Sequence, residues 1–114
     1  MVLIMKRNED KLSPKSKSIL KKLGTNIKTA RKRRKLSIDE MASRMFVSRQ
    51  TLIRLEAGNH GVSLNVLLNA LLVLGLESEL GMIASPDNDT LGKALEIQNL
   101  PGKVKKKTKP DLDF

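Results

Sequence analysis

Apolar residues recur every three to four positions through the first part of the chain, which is the spacing of an amphipathic helix. The residues with this spacing are Ile19, Leu20, Leu23, Ile27 and Ala30. Ser13-Pro14 suits a helix start, because Ser caps free amides and Pro fits the first helical position. The pattern predicts helix 1 over 14–34, with Gly24 as a soft point inside it.

Two short helices are predicted next, with very few residues between them. Ser37 and Glu40 match a capping box, which predicts helix 2 over 38–45. Ser48 is the cap candidate of helix 3, and Gly58 suits its end. The apolar positions of the pair are Ile38, Met41, Ala42, Met45, Val47, Leu52 and Leu55. A helix-turn-helix needs this pattern, although another small helical bundle can show the same periodicity.

Residues 63–100 contain a fourth helix and weaker elements. Ser63 caps helix 4 over 64–74, and Gly75 ends it. This helix is apolar almost all round, so part of it is expected to face another subunit. Residues 79–85 are predicted to form a short strand, and 90–99 a weak helix that Gly92 interrupts.

The predicted fold is all-α: a compact bundle of four to five helices with a short C-terminal β-strand and a flexible basic tail. Residues 1–12 form an N-terminal arm and 13–78 the helix-turn-helix domain. Residues 79–100 are assigned to dimerisation through Leu80, Met82, Ile83 and Ala84. The tail, 101–114, is rich in Lys, Pro and Gly and is expected to be disordered.

Charge and composition restrict the function. The 114 residues carry 22 basic and 12 acidic side chains, a net charge of +10, which favours an anionic polymer as partner. A solvated basic surface is the simpler alternative. The chain has no Cys, Trp or Tyr and one His, which excludes disulfides, His or Cys metal clusters and aromatic base-stacking platforms. We expect no metal, no cofactor, no catalytic residue, no membrane span and a cytoplasmic location.

Residues 23–76 resemble the Cro/repressor-type (XRE) helix-turn-helix family. The most specific matches are Ala42, Val47-Ser48-Arg49-Gln50-Thr51, Leu55-Glu56 and Gly58. Two positions depart from the family. Phe46 stands where the turn usually has Gly, so the turn geometry is expected to differ slightly. Ile38 stands where Gln often contacts a phosphate, so that contact is expected to be missing.

The resemblance implies that Arg49, Gln50 and Arg54 reach base edges in DNA. Arg suits guanine O6 and N7, and Gln suits adenine N6 and N7. The alternative is an exposed polar face.

Hydroxyls at helix N-termini are the candidates for phosphate binding. They belong to Ser48 and Thr51 on helix 3 and to Ser63 on helix 4. For Ser48 the alternative is a plain N-cap.

The resemblance also implies a structural ion pair between Arg31 and Glu56. Arg31 belongs to a basic run that extends to Lys35, so the alternative is an exposed phosphate contact.

Residues 66–114 resemble HipB-type antitoxins less specifically. These are dimeric repressors that bind a HipA-type serine/threonine kinase toxin and repress their own operon. The predicted protein is a homodimeric repressor on a palindromic operator in double-stranded DNA. The alternatives are a stand-alone or phage-type repressor, an interaction module in which DNA binding is secondary, and a basic protein that binds membranes or RNA.

Overall fold

The computed structural model describes residues 11–100, and the regular structure in this range is helical. The helices are α1 (Pro14–Arg33), α2 (Ile38–Met45), α3 (Arg49–Glu56), α4 (Leu64–Leu74), α5 (Glu77–Gly81) and α6 (Thr90–Gln98), with a 3-10 turn at Pro86–Asn88. The predicted tail at 101–114, and the predicted arm except for residues 11 and 12, lie outside the described residues. Two compact units divide between Leu80 and Gly81.

The first four helices begin where the sequence predicts. The hydroxyls of Ser13, Ser37, Ser48 and Ser63 each accept a hydrogen bond from the backbone amide three residues later. A helix N-terminus has free amides that need such partners. At α2 the bond is reciprocated, since the Ser37 amide donates to Glu40 Oε1 at 2.8 Å, and the predicted capping box is confirmed.

The core of the first unit lies between α1, α2, α3 and α4. Its buried apolar residues are Ile27, Met41, Ala42, Met45, Leu52, Leu55, Ala70, Leu71 and Leu74. α2 packs against α3 and α4, and α1 packs against the same two helices. One face of α3 is therefore fixed by buried side chains, and the opposite face is free of core contacts.

Two glycines bring α1 and the end of α3 into close contact. Gly24 is buried, and a Cβ there would overlap the carbonyl oxygen of Glu56 and come within 2.8 Å of that of Leu55. Gly58 has φ +80°, and a Cβ on it would come within 2.8 Å of the Leu20 carbonyl oxygen. α1 runs through Gly24, as the predicted bounds require, and the missing side chain permits the helix crossing, a role that the sequence did not indicate.

The predicted strand at 79–85 is wrong. Residues 77–81 form α5, residues 82–84 form a turn with Ala84 at φ 59°, and no residue from 11 to 100 is in a strand. A lone strand would leave its backbone groups unpaired within this chain, whereas a helical turn pairs some of them locally. The proposed dimerisation residues therefore lie in α5 (Leu80) and in this turn (Met82, Ile83 and Ala84), not in a strand.

The second unit contains the predicted weak helix, as α6. The Asp89 side chain caps it by accepting from the Gly92 amide at 2.9 Å, and Gly92 does not interrupt it. Leu91 and Ile97 are about two-thirds exposed. This short helix buries none of its residues.

Candidate nucleic-acid interface

A tight turn joins α2 and α3. Phe46 ends α2 in the left-handed conformation, with φ 59° and ψ 40°, and the Val47 amide donates to the Ala42 carbonyl at 3.1 Å. α3 begins three residues later, at Arg49. Gly favours this conformation, so Phe46 carries backbone strain while its side chain is 93% exposed.

A buried ion pair holds the C-terminal end of α3 against α1. Arg31 Nε donates to Glu56 Oε2 at 2.7 Å, and Arg31 Nη2 donates to Oε1 at 3.1 Å. A third bond, from Nη1 to the Leu36 carbonyl, is 2.9 Å long. Both side chains are only 6% exposed, so Arg31 is not placed as an exposed phosphate contact.

The ion pair also shifts the pKa of Arg31. The hydrogen bonds to Glu56 raise the pKa of this guanidinium above its ordinary value, and they outweigh burial, which lowers it. Arg31 is therefore charged at every ordinary pH, and its guanidinium holds the Glu56 side chain with two parallel hydrogen bonds.

The candidate base-reading residues lie on the other side of α3. Arg49, Gln50 and Arg54 are all exposed, whereas Leu52 and Leu55 are buried. The Arg54 guanidinium lies beside Gly61, in the loop before α4. The structure therefore presents three polar side chains together on a helix face that its own core does not use.

Arg49 is engaged by an acidic side chain that the sequence analysis did not single out. Its Nε lies 3.0 Å from Oδ1 of Asp39, in the first turn of α2, and both side chains are well exposed. The pair crosses from α2 to α3. Nothing in the ten-residue spacing signals it, because the contact depends on how the two helices cross.

Two of the three candidate phosphate ligands are themselves helix caps. Ser48 Oγ accepts from the Thr51 amide at 3.1 Å and lies 2.8 Å from Thr51 Oγ1. Ser63 Oγ accepts from the Val66 amide at 3.2 Å. All three residues therefore lie at helix N-termini, where the dipole favours an anion, and Ser48 and Ser63 already serve as caps.

Basic side chains line one side of α1. Lys17, Lys21, Lys28 and Lys32 are exposed and lie on one side of the helix, at spacings of four, seven and four residues. Lys28 also borders a shallow apolar pocket with Ile38 and Ile53, next to the exposed face of α3.

This arrangement of α2, turn and α3 defines a helix-turn-helix protein. A family model described as a helix-turn-helix domain matches residues 22–80, just over half of the chain, and the chain belongs to this family, as the Cro/repressor-type resemblance predicts. Searches of curated proteins and of solved structures found no match. The family places the protein among DNA-binding regulators, which are typically not enzymes. In residues 11–100 no helix is both long and apolar enough to cross a membrane.

Proposed function

We propose that this protein is a sequence-specific transcriptional repressor that reads bases with Arg49, Gln50 and Arg54. The observation that carries the proposal is their joint exposure on α3, while the opposite face and the end of the helix are fixed by the core and by the Arg31–Glu56 pair. A helix held in this way can enter the major groove.

The remaining contacts of the proposed complex would position the protein without reading sequence. Ser48, Thr51 and Ser63 would meet phosphates at the N-termini of α3 and α4. The α1 lysines would add charge attraction that all sequences share. Repression would follow from covering promoter DNA.

We propose that the repressor is a homodimer on a roughly palindromic operator. Its support is exposed apolar side chains in each of the two units. Leu72 in the first unit is 51% exposed, and Met82 and Ile83 in the second are 59% and 68% exposed. Leu80, Met82, Ile83 and Ala84 would contribute from α5 and the following turn, not from a paired strand. A monomeric mass by light scattering at micromolar concentration would contradict the dimer.

The more specific proposal is an antitoxin of the HipBA type that binds a kinase toxin. It rests on the resemblance of residues 66–114 and on the exposed Leu91 and Ile97 of α6, which a protein partner would cover. The alternative is a stand-alone repressor. Coexpression with the product of an adjacent kinase-like reading frame separates them, because only an antitoxin would copurify with it and suppress its kinase activity.

The test of DNA reading is a binding-site selection with the full chain and with Arg49→Ala, Gln50→Ala and Arg54→Ala. Each variant should relax preference at its own base position and weaken binding by about 1–3 kcal/mol. Lys28→Ala is the matched control. It should weaken binding to all DNA sequences alike. It should also reduce the slope of log affinity against log salt concentration by about 0.9 for each phosphate contact that is lost. Unchanged preferences in all three α3 variants would refute the proposal.

A further inference from the structure

The contact between Asp39 and Arg49 joins the first turns of α2 and α3. The Asp39 carboxylate accepts from Arg49 Nε at 3.0 Å, and both residues stand at the surface. An exposed pair of this kind contributes little to folding stability. The position of Asp39 in the first turn of α2 suits the helix dipole, but the dipole does not require contact with Arg49.

The geometry leaves the end of the guanidinium available. Arginine has five N–H donors, and Asp39 takes the one on Nε. The four hydrogens on Nη1 and Nη2 remain. These two nitrogens form the edge that can donate in parallel to O6 and N7 of one guanine.

We propose that Asp39 is a positioning residue that directs Arg49 toward a guanine and thereby sets selectivity at one position of the DNA site. The proposal rests on the proposed function, since it assigns a second residue to the base contact of Arg49. A free arginine side chain must lose rotational freedom when it binds, and a side chain already held at Nε loses less.

A simple electrostatic role predicts the opposite effect. If Asp39 only repelled phosphates, removing its charge would strengthen binding to every sequence and leave the base preferences unchanged. The two roles therefore predict different effects of removing the Asp39 charge. A positioning role predicts weaker preference for one base, and a repulsive role predicts stronger binding to every DNA sequence.

The experiment is a binding-site selection, followed by affinity measurements, with Asp39→Asn in the full chain. Guanine preference at the position that Arg49→Ala identifies should fall about tenfold. Preference at the Arg54 position should stay unchanged, because within residues 11–100 no ion pair joins Arg54 to an acid. In an Arg49→Ala background, Asp39→Asn should have no further effect on that position.

Glu40→Gln is the matched charge control. It removes the same charge from the neighbouring residue, and Gln can still complete the capping box with Ser37. Its effect on affinity should be the same for all DNA sequences.

Unchanged guanine preference in Asp39→Asn, or a uniform gain in affinity like that of Glu40→Gln, would overturn the inference while base reading by α3 stands. Loss of preference at every position alike would also overturn it. A wild-type protein that selects no site would remove both proposals together.

Discussion

Breaking the Arg31–Glu56 pair should destabilise the fold far more than breaking an exposed pair. Arg31→Ala leaves the Glu56 carboxylate buried without its cation, and Glu56→Ala leaves the guanidinium buried without its anion. Arg31→Ala also removes the donor that serves the Leu36 carbonyl. We therefore expect the arginine variant to lose more stability than the glutamate variant.

The burial sets the magnitude. Removing one member of a fully buried ion pair costs about 3–5 kcal/mol. Both side chains are 6% exposed, so losses near the lower end of that range, about 3 kcal/mol, are expected. In a domain of this size that corresponds to a fall in Tm of roughly 12–24 °C. The double variant should lose much less than the sum, because it leaves no unpaired buried charge.

The assay is urea unfolding followed by circular dichroism, since the chain has no Trp or Tyr for fluorescence. The matched control is the exposed Arg49–Asp39 pair, in which the arginine Nε also contacts a carboxylate oxygen. Arg49→Ala should cost less than about 1 kcal/mol. An additive double-mutant cycle at Arg31 and Glu56, or losses as small as those of the control, would refute the reasoning.

Two further predictions concern the backbone, at Gly24 and Phe46, and a third concerns the cap of α2. Gly24→Ala should destabilise by about 1–3 kcal/mol in urea unfolding, although Ala is the better helix former, because its Cβ would overlap the Glu56 carbonyl. Phe46→Gly should raise stability by about 0.5–1 kcal/mol, since relief of the left-handed strain exceeds the added chain entropy. Hydrogen bonds from Ser37 lower the pKa of Glu40 below its ordinary value of 4.5. The ionised Glu40 side chain therefore contributes fully to folding stability above pH 4.5. That contribution is lost as the pH falls through the lowered pKa.

Each of these predictions has a contrary result. A more stable Gly24→Ala variant would mean that α1 and α3 separate at no cost. Loss of stability in Phe46→Gly would mean that the exposed ring makes contacts that stabilise the fold. For the cap, the difference in urea midpoint between the wild type and Glu40→Gln should shrink between about pH 6 and about pH 3, because only the wild type loses a charge there, and a constant difference would contradict the role of Glu40.

Sequence predicts the helices best where the signal is local. The serine caps at 13, 37, 48 and 63 act on amides three residues away, so their effect is readable from spacing alone. The ends of α2 and α4 also follow the predicted bounds. The error at 79–85 arose because a few apolar residues fit a strand and a helical turn equally well, and backbone pairing decides between them.

Contacts between helices were less accessible to sequence reasoning. The Arg31–Glu56 pairing was predicted from a family resemblance. Helical periodicity relates residues within one helix, so it cannot pair residues that lie 25 positions apart on different helices. Nothing local distinguishes Gly24 as a crossing point from Gly24 as a weak position in α1. The Asp39–Arg49 contact also depends on the angle between two helices, which short-range patterns do not encode.

The division of labour within α3 has an evolutionary consequence. The side chains that fix the helix are buried, whereas Arg49, Gln50 and Arg54 are exposed and contribute no core contacts. Exposed substitutions away from caps and special contacts usually change stability by less than about 0.5 kcal/mol. Under the proposed base-reading role of α3, gene copies of such a chain can therefore acquire new DNA target sites by mutation at these positions while the protein stays folded at each step.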